Sequence, residues 1–100
     1  GYPSFPNGCH AEYRTMKASD RIVRKPDALS FEEAAAMCFG GATALDFLRD
    51  RAKLKAGEAV LVIGASGALG SAAVQLAKHF GANVTGVCSA ANVDLVRALG

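Results

Sequence analysis

The chain has 100 residues, 51% hydrophobic and 20% charged, with a formal net charge of +2. That composition excludes a disordered polar tail, and so mild a charge argues by itself for no nucleic-acid partner. No apolar run reaches the ~18–20 residues of a membrane helix, and no basic segment followed by an apolar one opens the chain as a signal peptide would.

Residues 1–8 (GYPSFPNG) read as loop, because Gly, Pro, Ser and Asn dominate them. From Cys9 to Lys17, His10, Glu12, Arg14 and Thr15 alternate with Ala11, Tyr13 and Met16, which predicts an antiparallel or edge strand. Arg21 to Arg24 is expected as a second short strand, stopped by Pro26. Ser30-Phe31-Glu32-Glu33 has the spacing of a capping box, in which Ser30 accepts the Glu33 amide and Glu33 reaches back. A short helix to about Met37 follows, with Gly40-Gly41 expected to break it. A second helix is expected from about Ala42 to Arg51. Lys55-Ala56-Gly57 is a turn.

The pattern then changes. Glu58 to Ile63 carries a continuous apolar run, the mark of a parallel strand buried on both faces. Gly64 to Gly70 is a glycine-rich turn. Ser71 to Phe80 is helical, since Leu69, Ala72/Ala73, Leu76 and Phe80 recur at helical spacing, and Gly81 stands just past its end. Asn83 to Cys88 reads as a second strand and Asn92 to Leu99 as a short helix. Residues 58–88 thus make one βαβ unit of the usual ~30 residues, and the fold class is α/β.

The turn carries the chemistry. Read from Ala65 it is A-x-G-x-x-G, and read from Gly64 it is G-x-x-G-x-x-G. A glycine turn between a buried strand and an amphipathic helix is the context of a dinucleotide-binding loop. Gly67 has no Cβ, so a pyrophosphate can approach its backbone; Gly70 lets the helix pack on the strand. Free N–H groups in the first helical turn hold the diphosphate. The expected contacts are Ala65, Ser66, Gly67, Ala68, Leu69 and Gly70; a plain tight turn is the bland alternative. An acid after the second strand would bind ribose hydroxyls and favour NAD. The sequence there is Val87-Cys88-Ser89-Ala90-Ala91-Asn92, and Asp94 comes too late. Ser89 and Asn92 can bond a 2′-phosphate without repelling it, so NADP is expected over NAD. Helix capping is the competing role for both.

Cys9, Cys38 and Cys88 are odd in number and contain no CxxC pair, which points to a reducing, cytosolic setting without a disulfide framework.

Several segments carry a family resemblance: Gly8-Cys9-His10-Ala11-Glu12-Tyr13, Leu29 to Ala36, Ala42-Thr43-Ala44, Gly57 to Val62 with the glycine turn, Val74 to Lys78, Cys88-Ser89, and Leu95 to Gly100. Together they resemble the medium-chain dehydrogenase/reductase superfamily, in its zinc-independent, quinone oxidoreductase-like (zeta-crystallin-like) branch. The resemblance implies a GroES-like catalytic domain followed by a Rossmann cofactor domain. Residues 1–29 look like the last strands of the first. Residues 30–100 look like the N-terminal half of the doubly wound second. It implies that Thr43 lies near the nicotinamide; a buried Thr of no function is the alternative. It also implies no catalytic zinc, because Phe39 stands where zinc-dependent relatives have a cysteine four residues before Thr43. His10 then reads as a surface strand residue.

The implied activity is hydride transfer from NADPH to a quinone, activated enone or aldehyde. Alternatives are an enoyl-reductase-like module of a larger synthase, and a non-catalytic, crystallin-like nucleotide binder. A Rossmann-type methyltransferase is disfavoured by the Ala-rich helix after the turn and the missing ribose-binding acid. No residue here is a convincing catalytic acid or base. The resemblance implies that the chain is a window across a domain boundary of a larger enzyme, and Gly1 in place of Met is expected to mark a trimmed start. Alone it should be inactive, and should dimerise or swap elements to cover its apolar faces. The expected partner is a small-molecule substrate, with neither membrane nor nucleic acid.

Overall fold

Two parallel strands and the helix between them organise the chain. The computed structural model describes residues 10–100, as an α/β arrangement. Helix α1 spans Phe31–Leu45 and runs on into a wider π-helical turn at Asp46–Arg51. Strand β1 is Ala59–Ile63, helix α2 Ala68–His79, strand β2 Asn83–Val87 and helix α3 Val93–Ala98, preceded by a 3-10 turn at Ala90–Asn92. β1 and β2 pair in parallel with Ala59 beside Asn83 and Ile63 beside Val87. This is the expected βαβ unit.

The capping box forms as its spacing predicts. The Glu33 amide donates to Ser30 Oγ at 3.1 Å, and the Ser30 amide donates to Glu33 Oε2 at 2.8 Å. The expected break at Gly40-Gly41 does not occur: one helix passes through both glycines. Each glycine costs a helix about 1 kcal/mol relative to Ala. Gly40 repays this by contact. A Cβ there would overlap the Ala68 carbonyl oxygen and lie 3.0 Å from its carbon. Gly40 thus lets α1 press against the first turn of α2. The helix ends where Lys53 turns to φ 51°, with the Ala52 amide donating to the Phe47 carbonyl at 2.8 Å.

Alternation predicts two short strands nearer the start. Of the first, Cys9 lies outside the described residues, as does the loop at 1–8; residues 10–17 form no strand. In the second, Arg21 alone makes an isolated bridge. Alternation gives a segment two faces, but a strand also needs a neighbour to bond. Among the described residues none offers a ladder to these segments.

The expectation that β1 is buried on both faces is also corrected. Val62, Ala65 and Val74 form the core, with Val60, Ala73, Val84, Val96 and Leu99 packed around them. These come from one face of the sheet and from α2 and α3. The opposite face is open, with Leu61 62% and Ile63 78% exposed. A continuous apolar run registers what a strand is built to bury, and here one face finds its cover among the described residues. No helix among them is long and apolar enough to cross a membrane.

Candidate dinucleotide-binding site

The turn from Gly64 to Gly70 sits where β1 hands over to α2. Gly64 adopts φ 77°, a left-handed conformation that favours glycine. The Gly64 and Ala65 amides both donate to the Val87 carbonyl, at 2.9 and 3.0 Å, tying the turn to the end of β2. The Gly67 amide donates to the Gly64 carbonyl at 3.0 Å and closes the loop. Gly67 is the N-cap, so α2 begins at Ala68, three residues earlier than the apolar spacing indicates. Periodicity reads side chains, and the first turn offers it only Ala68, a part-exposed Leu69 and a buried Gly70 with no side chain.

The two later glycines differ in kind. At Gly70 a Cβ would sit 2.8 Å from Ala65 Cα and closer still to the Gly64 carbonyl oxygen. Packing of helix on turn therefore requires glycine there, as expected. At Gly67 a Cβ would meet only the Gly64 carbonyl oxygen, at 3.4 Å, an ordinary contact. Its φ of −78° suits any residue. Neither packing nor backbone explains Gly67.

The first intrahelical bond runs from the Ser71 amide to the Gly67 carbonyl at 2.8 Å. The amides of Ala68, Leu69 and Gly70 are left without an intrahelical acceptor, as the first amides of any helix are. They form the positive end of a twelve-residue helix with no acidic residue in its first turn. The residues present therefore fit a diphosphate: a close-approach glycine, free amides and a favourable dipole. Ala65 contributes differently from expectation. It has no exposed surface, so it anchors the turn in the core rather than facing a ligand.

The structure brings together three residues that the sequence singled out separately. Asn92 Nδ2 donates to Ser66 Oγ at 3.2 Å and to Ser89 Oγ at 3.1 Å. Asn92 stands at the N-cap of α3, yet its side chain makes no capping bond, and neither does that of Ser89 at the 3-10 turn. The capping role expected as an alternative is not what these side chains do. The spacing of the motif could not show the link, because Ser66 and Asn92 meet only once β1 and β2 are paired. Thr43 is half-buried in α1, one turn past Gly40, in a continuous helix rather than after a break. No hydrogen bond among the described residues joins it to the turn.

Two hollows on the described surface lie elsewhere. One of about 440 Å³ is lined by β2 and α3 residues, including Cys88 and Arg97. Another of about 860 Å³ lies between residues 21–29 and α1 and includes Cys38. The glycine turn lines neither, since the end of two strands gives it a single wall. The exposed Cys38 thiol donates to the Ala34 carbonyl at 3.4 Å. Among the described residues no three His, Cys, Asp or Glu side chains converge as metal ligands would.

Strand, glycine turn, helix and parallel strand define an α/β fold, and comparison with known proteins narrows the class. No protein-family model matches the chain. The chain is 46% identical over 80 residues to polyketide synthase GfsB of Streptomyces halstedii, covering 80% of this chain and 1% of that protein. It is 41% identical over 104 residues to zinc-type alcohol dehydrogenase-like protein C16A3.02c of Schizosaccharomyces pombe, covering 100% of this chain and 30% of that one. Among solved structures it is similar to the CurK enoyl reductase, with TM-score 0.74 and 38% identity over 78% of this chain and 24% of that one. The quinone oxidoreductase of Thermus thermophilus, solved also in complex with NADPH, matches with TM-score 0.68 and 43% identity over 75% and 25%. The chain thus spans about a third or less of the length of each. The chain belongs to the medium-chain dehydrogenase/reductase superfamily, with its quinone oxidoreductase-like and enoyl reductase members.

Proposed function

We propose that the chain supplies the dinucleotide-binding turn of an NADPH-dependent oxidoreductase. Its substrate is a carbonyl-conjugated acceptor, a quinone or an activated enone or aldehyde. The observation that carries this reading is Gly67, a glycine that the fold does not require, at the N-cap of a helix with free amides. A diphosphate resting against the turn accounts for it. NADPH supplies the hydride. The chain's own residues bind and orient: Gly67 to Gly70 at the diphosphate, Ser66, Ser89 and Asn92 toward the adenosine end, Thr43 toward the nicotinamide.

A second reading, an enoyl reductase module of a larger synthase, is favoured by the polyketide synthase relatives and the enoyl reductase neighbours. Both readings use one chemistry, delivery of hydride to an electron-poor system in conjugation with a carbonyl. In either, residues 1–29 close a GroES-like domain and residues 30–100 open a Rossmann domain. The reaction proceeds without zinc, Phe39 standing where a cysteine ligand would. The protein works in the cytoplasm, and exposed apolar faces pair it with a second copy.

Titration of the full-length protein with NADPH and NADH tests the cofactor. Turnover of a quinone against an enoyl thioester then separates the two readings, and metal analysis of the active protein tests the zinc statement. Failure to bind either dinucleotide would refute the proposal.

A further inference from the structure

We infer that Asn92 is a positioning residue that sets the hydroxyls of Ser66 and Ser89 as paired donors to a phosphate monoester, and so gives the site its preference for a 2′-phosphorylated dinucleotide. The inference rests on the dinucleotide reading above.

Ser66 belongs to the turn after β1 and Ser89 follows β2, so the two hydroxyls stand on separate strand ends. One amide nitrogen holds both, at 3.2 and 3.1 Å. An amide NH₂ has two hydrogens to give and accepts nothing. Each serine oxygen therefore accepts one hydrogen from Asn92, and its own proton is not spent within the cluster. Two hydroxyl protons remain for an acceptor outside.

A phosphate monoester is rich in acceptor oxygens and negatively charged, which this pair suits. A free ribose hydroxyl is held in such folds by a carboxylate acceptor. None stands between Val87 and Asn92. Asp94 is exposed on α3, where Arg97 bonds it at 3.4 Å. Arg97 turns toward that carboxylate on α3, and the groups that stand at the end of β2 itself are the neutral Ser89 and Asn92. Charge-assisted hydrogen bonds from the two hydroxyls supply the selection.

The test is Asn92→Asp in the full-length protein. The carboxylate has no hydrogen to give, so it draws both serine protons inward and sets a negative charge beside the phosphate. Calorimetric titration with NADPH and NADH, with melting curves as the control of folding, should show NADPH affinity falling about tenfold or more. NADH affinity should change less than about threefold by the same reasoning. Ser66→Ala and Ser89→Ala should each weaken NADPH selectively, and they carry the test if Asn92→Asp does not fold. An unchanged NADPH-to-NADH ratio in Asn92→Asp, or equal losses of both cofactors in the two serine variants, overturns the inference and leaves the dinucleotide reading intact. Binding of neither cofactor by the unmutated protein overturns that reading, and the inference with it.

Discussion

Replacing Gly67 by Asp should separate the two demands on the glycine turn. On the folding side the change is benign. The backbone at φ −78°, ψ 169° accepts an L-residue, and a Cβ there meets the Gly64 carbonyl oxygen at an ordinary 3.4 Å. Asp caps helices better than Gly by a few tenths of a kcal/mol, and its charge at the dipole's positive end adds about 0.3–1 kcal/mol. The variant should therefore be more stable by about 0.5–1 kcal/mol in urea denaturation. On the binding side the change is severe. A carboxylate about 4 Å from a phosphate charge costs about 4 kcal/mol at an effective dielectric of about 20, and it occupies the same amides. Dinucleotide affinity should fall at least about a hundredfold by calorimetry. Gly70→Ala is the counterpart. Its Cβ would lie 2.8 Å from two backbone atoms of the turn, where no side chain can rotate aside. Overpacking costs about 1–3 kcal/mol or more, against about 1 kcal/mol of helix propensity gained. That variant should lose stability. If Gly67→Asp bound NADPH like the unmutated protein, no phosphate would lie at the turn. If Gly70→Ala were as stable as the parent, the packing account would be wrong.

Gly40→Ala should destabilise by about 1–3 kcal/mol despite its better helix propensity, because its Cβ overlaps the Ala68 carbonyl; urea curves equal to the parent's would disprove the close approach. Ser30→Ala removes the cap of α1 and should cost about 1 kcal/mol. Part of that cost should be pH-dependent. Hydrogen bonds from its own backbone amide, and then from the Ser30 side chain, hold the Glu32 carboxyl below its ordinary range. A lowered folded value means the contribution is present above the ordinary carboxylate range and is lost as pH falls through the lowered value. The melting difference between parent and Ser30→Ala should thus narrow toward acid; a constant difference would contradict the assignment. The chain produced alone should self-associate through the open face at Leu61 and Ile63, and Leu61→Lys with Ile63→Lys should reduce it. A monomer by light scattering before mutation would refute this.

What can be read in the sequence is local. The capping box and the C′ glycine at Gly81 (φ 79°) follow from neighbours within a few positions, and each element of the βαβ unit from its own periodicity. What cannot be read depends on distant partners. Gly40 and Gly41 look like a break because propensity treats glycine as a cost, and the compensating contact with Ala68 lies in another helix. The same holds for the Ser66–Asn92–Ser89 link, which parallel pairing of β1 and β2 creates. Its place in the motif marks Ala65 as a ligand contact, but its burial follows from the Val87 carbonyl drawing the turn inward. Among the described residues the early segments form no ladder, because alternation specifies faces and not partners.

The contact at Gly40 enlarges what counts as the signature of this fold. The pattern that identifies the turn is usually written over seven consecutive positions, yet one glycine that shapes it stands in the preceding helix. A chain could satisfy the whole short pattern and, with a larger residue at position 40, hold the turn in a different place. Sequence recognition of such turns should gain in discrimination when the upstream helix is scored jointly with the glycines it leans on.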